Sequence, residues 1–238
     1  MPNESINLAS YIDAAVLAPQ LSDEEARAQT QLVIDHACKT VCVRPSSLEM
    51  AVKMCEGKTT RASVVLGFPH GDQTTAVKVA EARDTMRLKP FEVDMVNNIG
   101  LLRSGRWADY EAEIRAVADV VHEGGARLKV ILEISQLTRE EIMDATRACI
   151  RAGADFVKTS TGFTGGGATE EAVMAMVEAA EGKIEVKASG GIRDANKAML
   201  YLSMGATRLG IGATSVPSIL AGSGVGGDGY EGVGKDGY

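Results

Sequence analysis

Four charged residues close or interrupt short apolar runs: Asp13 after Tyr11-Ile12, Asp94 within Val93-Asp94-Met95-Val96, Lys158 after Phe156-Val157, and Lys187 after Glu185-Val186. A single lysine in such a place reads first as a surface residue whose stem lies along apolar neighbours, because lysine is rarely buried. Two lysines ending successive strand candidates read differently. Neighbouring parallel strands lie about 4.8 Å apart, so Lys158 and Lys187 approach one another if both point inward. A purely structural strand pair gains nothing from two buried like charges, whereas an amine nucleophile does. Free lysine has a pKa near 10.4 and is almost wholly protonated at neutral pH. Bringing it to about 7 to 8 takes roughly 4 kcal/mol. Two unit charges about 5 Å apart at an effective dielectric of about 20 repel by about 3 kcal/mol, and desolvation adds the rest. The pair therefore predicts a Schiff-base nucleophile at Lys158 whose pKa Lys187 depresses. Asp94 offers a carboxylate that moves protons directly or through one water. It also reads as an ion-pair partner for the lysines, and the two roles are compatible.

Glycines follow the later apolar runs in Ser160-Thr161-Gly162, Ser189-Gly190-Gly191 and Gly210-Ile211-Gly212. Short glycine turns expose backbone N–H groups, and a helix starting after each turn directs its positive end toward an anion. Three such turns on one rim predict a phosphate site. Arg193, just beyond Gly190-Gly191-Ile192, adds charge there or serves as a surface residue at a helix start.

Positioning these groups requires a repeating frame. From about Tyr11 to Gly212 the chain alternates short β-branched runs with longer amphipathic stretches, a βα pattern without a linker-like break. Strands are expected near Tyr11–Asp13, Val41–Arg44, Ser63–Gly67, Glu92–Val96, Leu128–Glu133, Phe156–Thr159, Ile184–Lys187 and Thr207–Ile211. Ser22-Asp23-Glu24-Glu25 and Thr138-Arg139-Glu140-Glu141 are capping boxes that start helices. Trp107, Tyr110, Ile114, Val117 and Val121 recur every three or four residues, an apolar stripe suited to a barrel's exterior. Runs such as Val64-Val65-Leu66 are apolar on consecutive residues, as strands covered by helices are. Eight units without a GxGxxG turn after the first strand favour a (β/α)8 TIM barrel over an open doubly wound sheet. One domain is expected over residues 1–220. From Ala221 to Tyr238 glycine dominates, which predicts a flexible tail.

Composition narrows the classes further. Of 238 residues, 45% are hydrophobic and 24% charged, ordinary for a globular protein. A net charge of -7 argues against binding a nucleic-acid backbone, which relies on lysine and arginine. No segment approaches a membrane span and no basic, apolar leader opens the chain, so a cytoplasmic location is expected. The cysteines Cys38, Cys42, Cys55 and Cys149 and the histidines His36, His70 and His122 have no zinc-ligand spacing, so no metal and no other cofactor is expected.

The chain resembles the deoxyribose-phosphate aldolase family of class I aldolases from Tyr11-Ile12-Asp13 to about Leu220. The resemblance is carried most specifically by Ala154-Asp155-Phe156-Val157-Lys158-Thr159-Ser160-Thr161-Gly162-Phe163 and Val186-Lys187-Ala188-Ser189-Gly190-Gly191-Ile192-Arg193. Gly67-Phe68-Pro69-His70-Gly71 and Val93-Asp94-Met95-Val96 support it. It implies a lyase that reversibly cleaves 2-deoxy-D-ribose 5-phosphate to acetaldehyde and D-glyceraldehyde 3-phosphate. Lys158 would form the imine, Lys187 would lower its pKa, and Asp94 would carry protons. Asp13 and Cys42 would line the sugar pocket, and Gly162, Gly190, Gly191 and Gly210 would hold the phosphate; Thr159, Arg193 and Gly212 are further substrate-binding candidates. Tyr238 would reach back as a proton relay. Two loops depart from the family's pattern. Ala14-Ala15 and Ala18 stand where members often carry His-Thr and Lys, and Ile211-Gly212-Ala213 precedes Thr214-Ser215. A looser hold on phosphate and tolerance of unphosphorylated aldehydes are therefore expected. A homo-oligomer, specifically a homodimer, is also expected. A phosphosugar isomerase and a noncatalytic sugar-phosphate-binding barrel are the competing readings.

Overall fold

A computed structural model describes residues 7–222. The elements run β1 (Ile12–Val16), α1 (Asp23–Asp35), β2 (Thr40–Val43), α2 (Leu48–Cys55), β3 (Arg61–Leu66), α3 (Thr75–Met86), β4 (Glu92–Val96), α4 (Ile99–Arg103) and α5 (Trp107–Glu123). They continue with β5 (Arg127–Ile131), α6 (Arg139–Ala152), β6 (Phe156–Lys158), α7 (Glu170–Ala180), β7 (Glu185–Ser189), α8 (Ala195–Ser203), β8 (Arg208–Gly212) and α9 (Val216–Leu220). The eight strands are parallel, pair in chain order and close β8 onto β1, so the expected (β/α)8 barrel forms as one domain. Tyr238 and the tail beyond Gly222 lie outside the described residues.

Local sequence accounts for several boundaries. Both capping boxes form, with Ser22 and Thr138 each accepting an N–H from a glutamate whose side chain accepts from the cap backbone. In α5, Tyr110, Ile114, Val117 and Val121 are buried against the barrel, with Trp107 partly buried beside them. The main apolar core lies between strands and helices, where Val64, Leu66, Val130 and Leu132 project outward into it.

Three strands end two or more residues from where sequence alone places their ends. β1 runs past Asp13 to Val16 and β7 past Lys187 to Ser189, so both charges sit inside strands. Backbone pairing on both sides carries these strands on: Asp13 faces Thr40 and Gly210, and Lys187 faces Lys158 and Arg208. β5 stops at Ile131 because Glu133 adopts a left-handed backbone, φ 58°. Behind β4, the buried Lys78 of α3 donates to Glu113 Oε1 of α5 at 2.6 Å and to the carbonyl of Val96 at 3.0 Å. This clamp fixes the end of the strand that carries Asp94.

Candidate active site

A barrel interior is filled by side chains in layers, and here one layer is charged. Asp13, Glu92, Asp94, Lys129, Lys158, Lys187 and Arg208 are all buried inside it. Asp94 is the hub: its Oδ2 accepts from Lys158 Nζ at 2.9 Å and Lys187 Nζ at 2.8 Å, and its Oδ1 from Lys129 Nζ at 2.8 Å. Lys187 also donates to Asp13 Oδ2 at 2.6 Å. Arg208 bridges Asp13 Oδ1 and Glu92 Oε2, each at 2.7 Å. Lys129 is paired with Glu92, Asp94 and Asp13.

Three carboxylates face four bases, so the layer is neutral when one lysine has lost its proton. Lys158 is the one with the least compensation, touching a single carboxylate. Burial draws its pKa below the ordinary lysine value; Asp94 opposes this and the charge on Lys187 adds to it. Burial acts on Lys187 in the same direction, but Asp13 and Asp94 outweigh it and hold that pKa above the ordinary value. Asp94 stays well below the usual carboxylate range, because Lys129, Lys158 and Lys187 together overcome its burial. From sequence alone, repulsion by Lys187 is expected to supply most of the shift at Lys158. Desolvation instead comes first, because Lys187 shares its charge with two carboxylates rather than facing Lys158 alone.

Above this layer a cavity of about 180 Å³ opens at the C-terminal ends of the strands. Asp13, Cys42, Lys158, Lys187, Gly162, Gly190, Gly191, Arg193, Gly210 and Gly212 line it. Burial and Asp94 raise the Cys42 pKa, so it remains a neutral thiol at neutral pH. Gly190 has φ 89°, and a Cβ there would lie 2.8 Å from Gly167 Cα, so glycine is required where the two rim loops meet. A Cβ on Gly210 would lie 2.4 Å from Ser189 Cβ and 3.3 Å from Lys187 Cε, so this glycine also makes room for the lysine.

Two expected residues stand elsewhere. Asp94 does not reach the cavity and communicates with it through Lys158 and Lys187. Thr159 is fully buried: its hydroxyl donates to Ser189 O and accepts from Ser189 N–H, each at 2.9 Å. Both hydrogen-bonding directions of that hydroxyl are occupied, so Thr159 clasps the end of β6 to β7, and it does not line the cavity. Conversely, Thr161, Phe163, Ser189, Thr214 and Ser215 also line the cavity. Of these, Thr161, Phe163 and Ser189 were visible within the two long motifs. Glu92, Lys129 and Arg208 carried the same signal that singled out Asp94, a lone charge in an apolar run.

Comparison with known proteins decides the family. The sequence profile of the DeoC/LacD family aldolases matches residues 8–222. The chain belongs to this family. The aldolase is 41% identical to deoxyribose-phosphate aldolase 1 of Cutibacterium acnes across 87% of this chain and 95% of that one. It is 39% identical to a deoxyribose-phosphate aldolase of Brevibacillus brevis across 94% of this chain and 100% of that one. A deoxyribose phosphate aldolase from Aeropyrum pernix, described as having a unique tetrameric structure, superposes with a TM-score of 0.83 at 29% identity, covering 90% of this chain and 89% of that one. The enzyme is therefore a lyase. Among the described residues, no helix of the aldolase is long and apolar enough to cross a membrane.

Proposed function

We propose that this aldolase cleaves 2-deoxy-D-ribose 5-phosphate to acetaldehyde and D-glyceraldehyde 3-phosphate through an imine on Lys158. The substrate follows from the names of the relatives. One observation carries the residue assignment. Among the four bases of the charged layer, Lys158 alone has a pKa drawn below its ordinary value, by burial, and it is in contact with a single carboxylate and lines the cavity.

The unprotonated amine attacks the C1 aldehyde of the open sugar, and loss of water leaves an iminium. Removal of the C3 hydroxyl proton breaks the C2–C3 bond. The electron pair passes into an enamine on C1–C2, and glyceraldehyde 3-phosphate leaves. Protonation at C2 and hydrolysis release acetaldehyde and regenerate Lys158. Asp94 touches both lysines, so we assign it the role of proton carrier through Lys187, at the floor of the cavity. The phosphate end is assigned to the rim from Gly190 to Arg193 and from Gly210 to Ser215.

A cytoplasmic setting belongs to the same reading, supported by four free buried cysteines. So does self-association, supported by the tetrameric description of the Aeropyrum pernix relative.

Borohydride reduction in the presence of acetaldehyde tests the nucleophile. The expected result is a covalent adduct on Lys158, absent from Lys158→Ala and formed by Lys187→Leu only at higher pH. An adduct on another lysine, or turnover of the sugar phosphate without any adduct, overturns the reading.

A further inference from the structure

Among the described residues, four that are not glycine have a positive φ: Ala37, Lys89, Glu133 and Glu181. Three are exposed, and only Glu133 is buried. It lies just beyond β5, beside the strand that carries Lys158, and has no part in the chemistry above. A left-handed backbone disfavours a residue with a branched-out side chain, so such a conformation persists only where its surroundings enforce it.

The amides on either side of Glu133 show what enforces it. Leu132 N–H donates to the carbonyl of Lys158 at 2.9 Å, and Ile134 N–H donates to that of Thr159 at 3.0 Å. The kink lets both grip the end of β6 while the residue between them turns its side chain toward the following loop. There Glu133 Oε2 accepts from Thr161 N–H at 3.2 Å and from the Thr161 hydroxyl. Thr161 Oγ1 in turn accepts from Phe163 N–H at 3.0 Å. The Phe163 ring meets Phe68, on the loop after β3, edge-on at a centroid distance of 5.0 Å. Thr161 and Phe163 both line the cavity above Lys158. Among the described residues, Glu133 forms no ion pair, and its Oε1 is buried without a hydrogen-bond partner. A buried carboxylate held only by an amide and a hydroxyl is costly where an uncharged side chain would do.

We propose that Glu133 is a positioning residue for the aldol reaction. Through Thr161 it fixes the loop from Ser160 to Phe163, and so sets the wall against which the sugar is held over Lys158. The inference rests on the assigned imine at Lys158. Glu133 neither receives nor gives a proton in this role, so it governs alignment and leaves the titration of Lys158 alone.

A double-mutant cycle on the full-length enzyme tests this, with Glu133→Ala, Thr161→Val and their combination. Each single variant is expected to lower kcat/KM for deoxyribose 5-phosphate by about tenfold or more, since small misplacements in a site carry such penalties. The combination is expected to be no worse than the weaker single variant, because both act along one path. Glu133→Gln keeps an acceptor oxygen at the same reach and is expected to recover most of the activity. The pH midpoint of borohydride trapping with acetaldehyde is expected to stay at the wild-type position. Additive losses, wild-type kcat/KM in Glu133→Ala, or a displaced midpoint would overturn the proposal. If Glu133→Ala does not fold, Thr161→Val against Thr161→Ser decides: Ser keeps the hydroxyl and is expected to stay active, and equal losses in both overturn the role. Failure of the wild type to trap acetaldehyde at all refutes the imine assignment instead.

Discussion

At the scale of single residues, the charged layer explains why one lysine among three becomes a nucleophile. Lys129 and Lys187 are each matched by more than one carboxylate, and Lys158 is not. Because burial lowers its pKa in the folded protein, the native state binds that proton less readily than the unfolded chain does. Protonation then favours unfolding, so at neutral pH Lys158 works against stability, and the penalty fades as pH rises toward the ordinary lysine value near 10.4. Lys158→Met removes the penalty and leaves three carboxylates facing three bases. The variant is expected to be inactive yet to melt a few degrees higher than wild type at pH 7, since about 1 kcal/mol corresponds to roughly 2–4 °C in a domain of this size. The gap should narrow near pH 10. Paired calorimetric scans check this, and a lower melting temperature for the variant at pH 7 refutes the idea that Lys158 is held in a destabilised state. In wild type, the rate of imine trapping should rise with pH to a midpoint below that of free lysine.

At the scale of elements, the strands and helices were readable wherever their signals are local. The capping boxes located the starts of α1 and α6, the stripe from Trp107 to Val121 identified α5, and β4 was delimited to the residue. β1 and β7 were cut short because a charge after an apolar run reads as a strand's end. In a closed barrel the inward positions are sealed from water, and charges persist there by pairing across strands far apart in sequence, such as Asp13 with Lys187. Glu92, Lys129 and Arg208 carry the same local signal as Asp94, but the same distance hides their pairing across the barrel. Nothing near Glu133 announces its left-handed turn, since neither glycine nor asparagine stands there. The loop after β1 is legible in another way. Past Asp13, the end of β1 and the loop after it offer the cavity only Ala15 and Leu17, while among the described residues Arg193, after β7, is the sole charged side chain lining the rim above the layer. With one exposed arginine and glycine amides as its anchors, the phosphate is expected to contribute modestly. Comparing kcat/KM for 2-deoxyribose and its 5-phosphate checks this. A preference below about a thousandfold is expected, on the scale of about 4 kcal/mol for three decades, and a preference of many more decades contradicts it.

At the scale of the whole molecule, the helices that close the barrel leave an uneven surface. Among the described residues, the large hydrophobic ones that remain exposed are Val77, Met174, Met199 and Leu200. Three of the four lie on α7 and α8, which Lys197 and Glu170 tie together at 2.8 Å. Met174 follows Glu170 by four residues and Leu200 follows Lys197 by three, so each falls on the helical face that carries the ion pair. Single exposed apolar residues need no explanation, but a cluster on adjoining helices is the face on which the self-association proposed above is expected to be built. A symmetric assembly built on such a face repeats the same patch on both partners. α8 begins two residues beyond Arg193, so this contact would brace the phosphate rim without entering the cavity. Met174→Lys combined with Leu200→Lys places like charges across that contact while leaving the barrel's core untouched. In sedimentation at micromolar concentration the wild type is expected to run as an oligomer and the double variant as a monomer with its fold intact. A monomeric wild type, or an assembly that survives both lysines, assigns the exposed methionines and leucine no role in association.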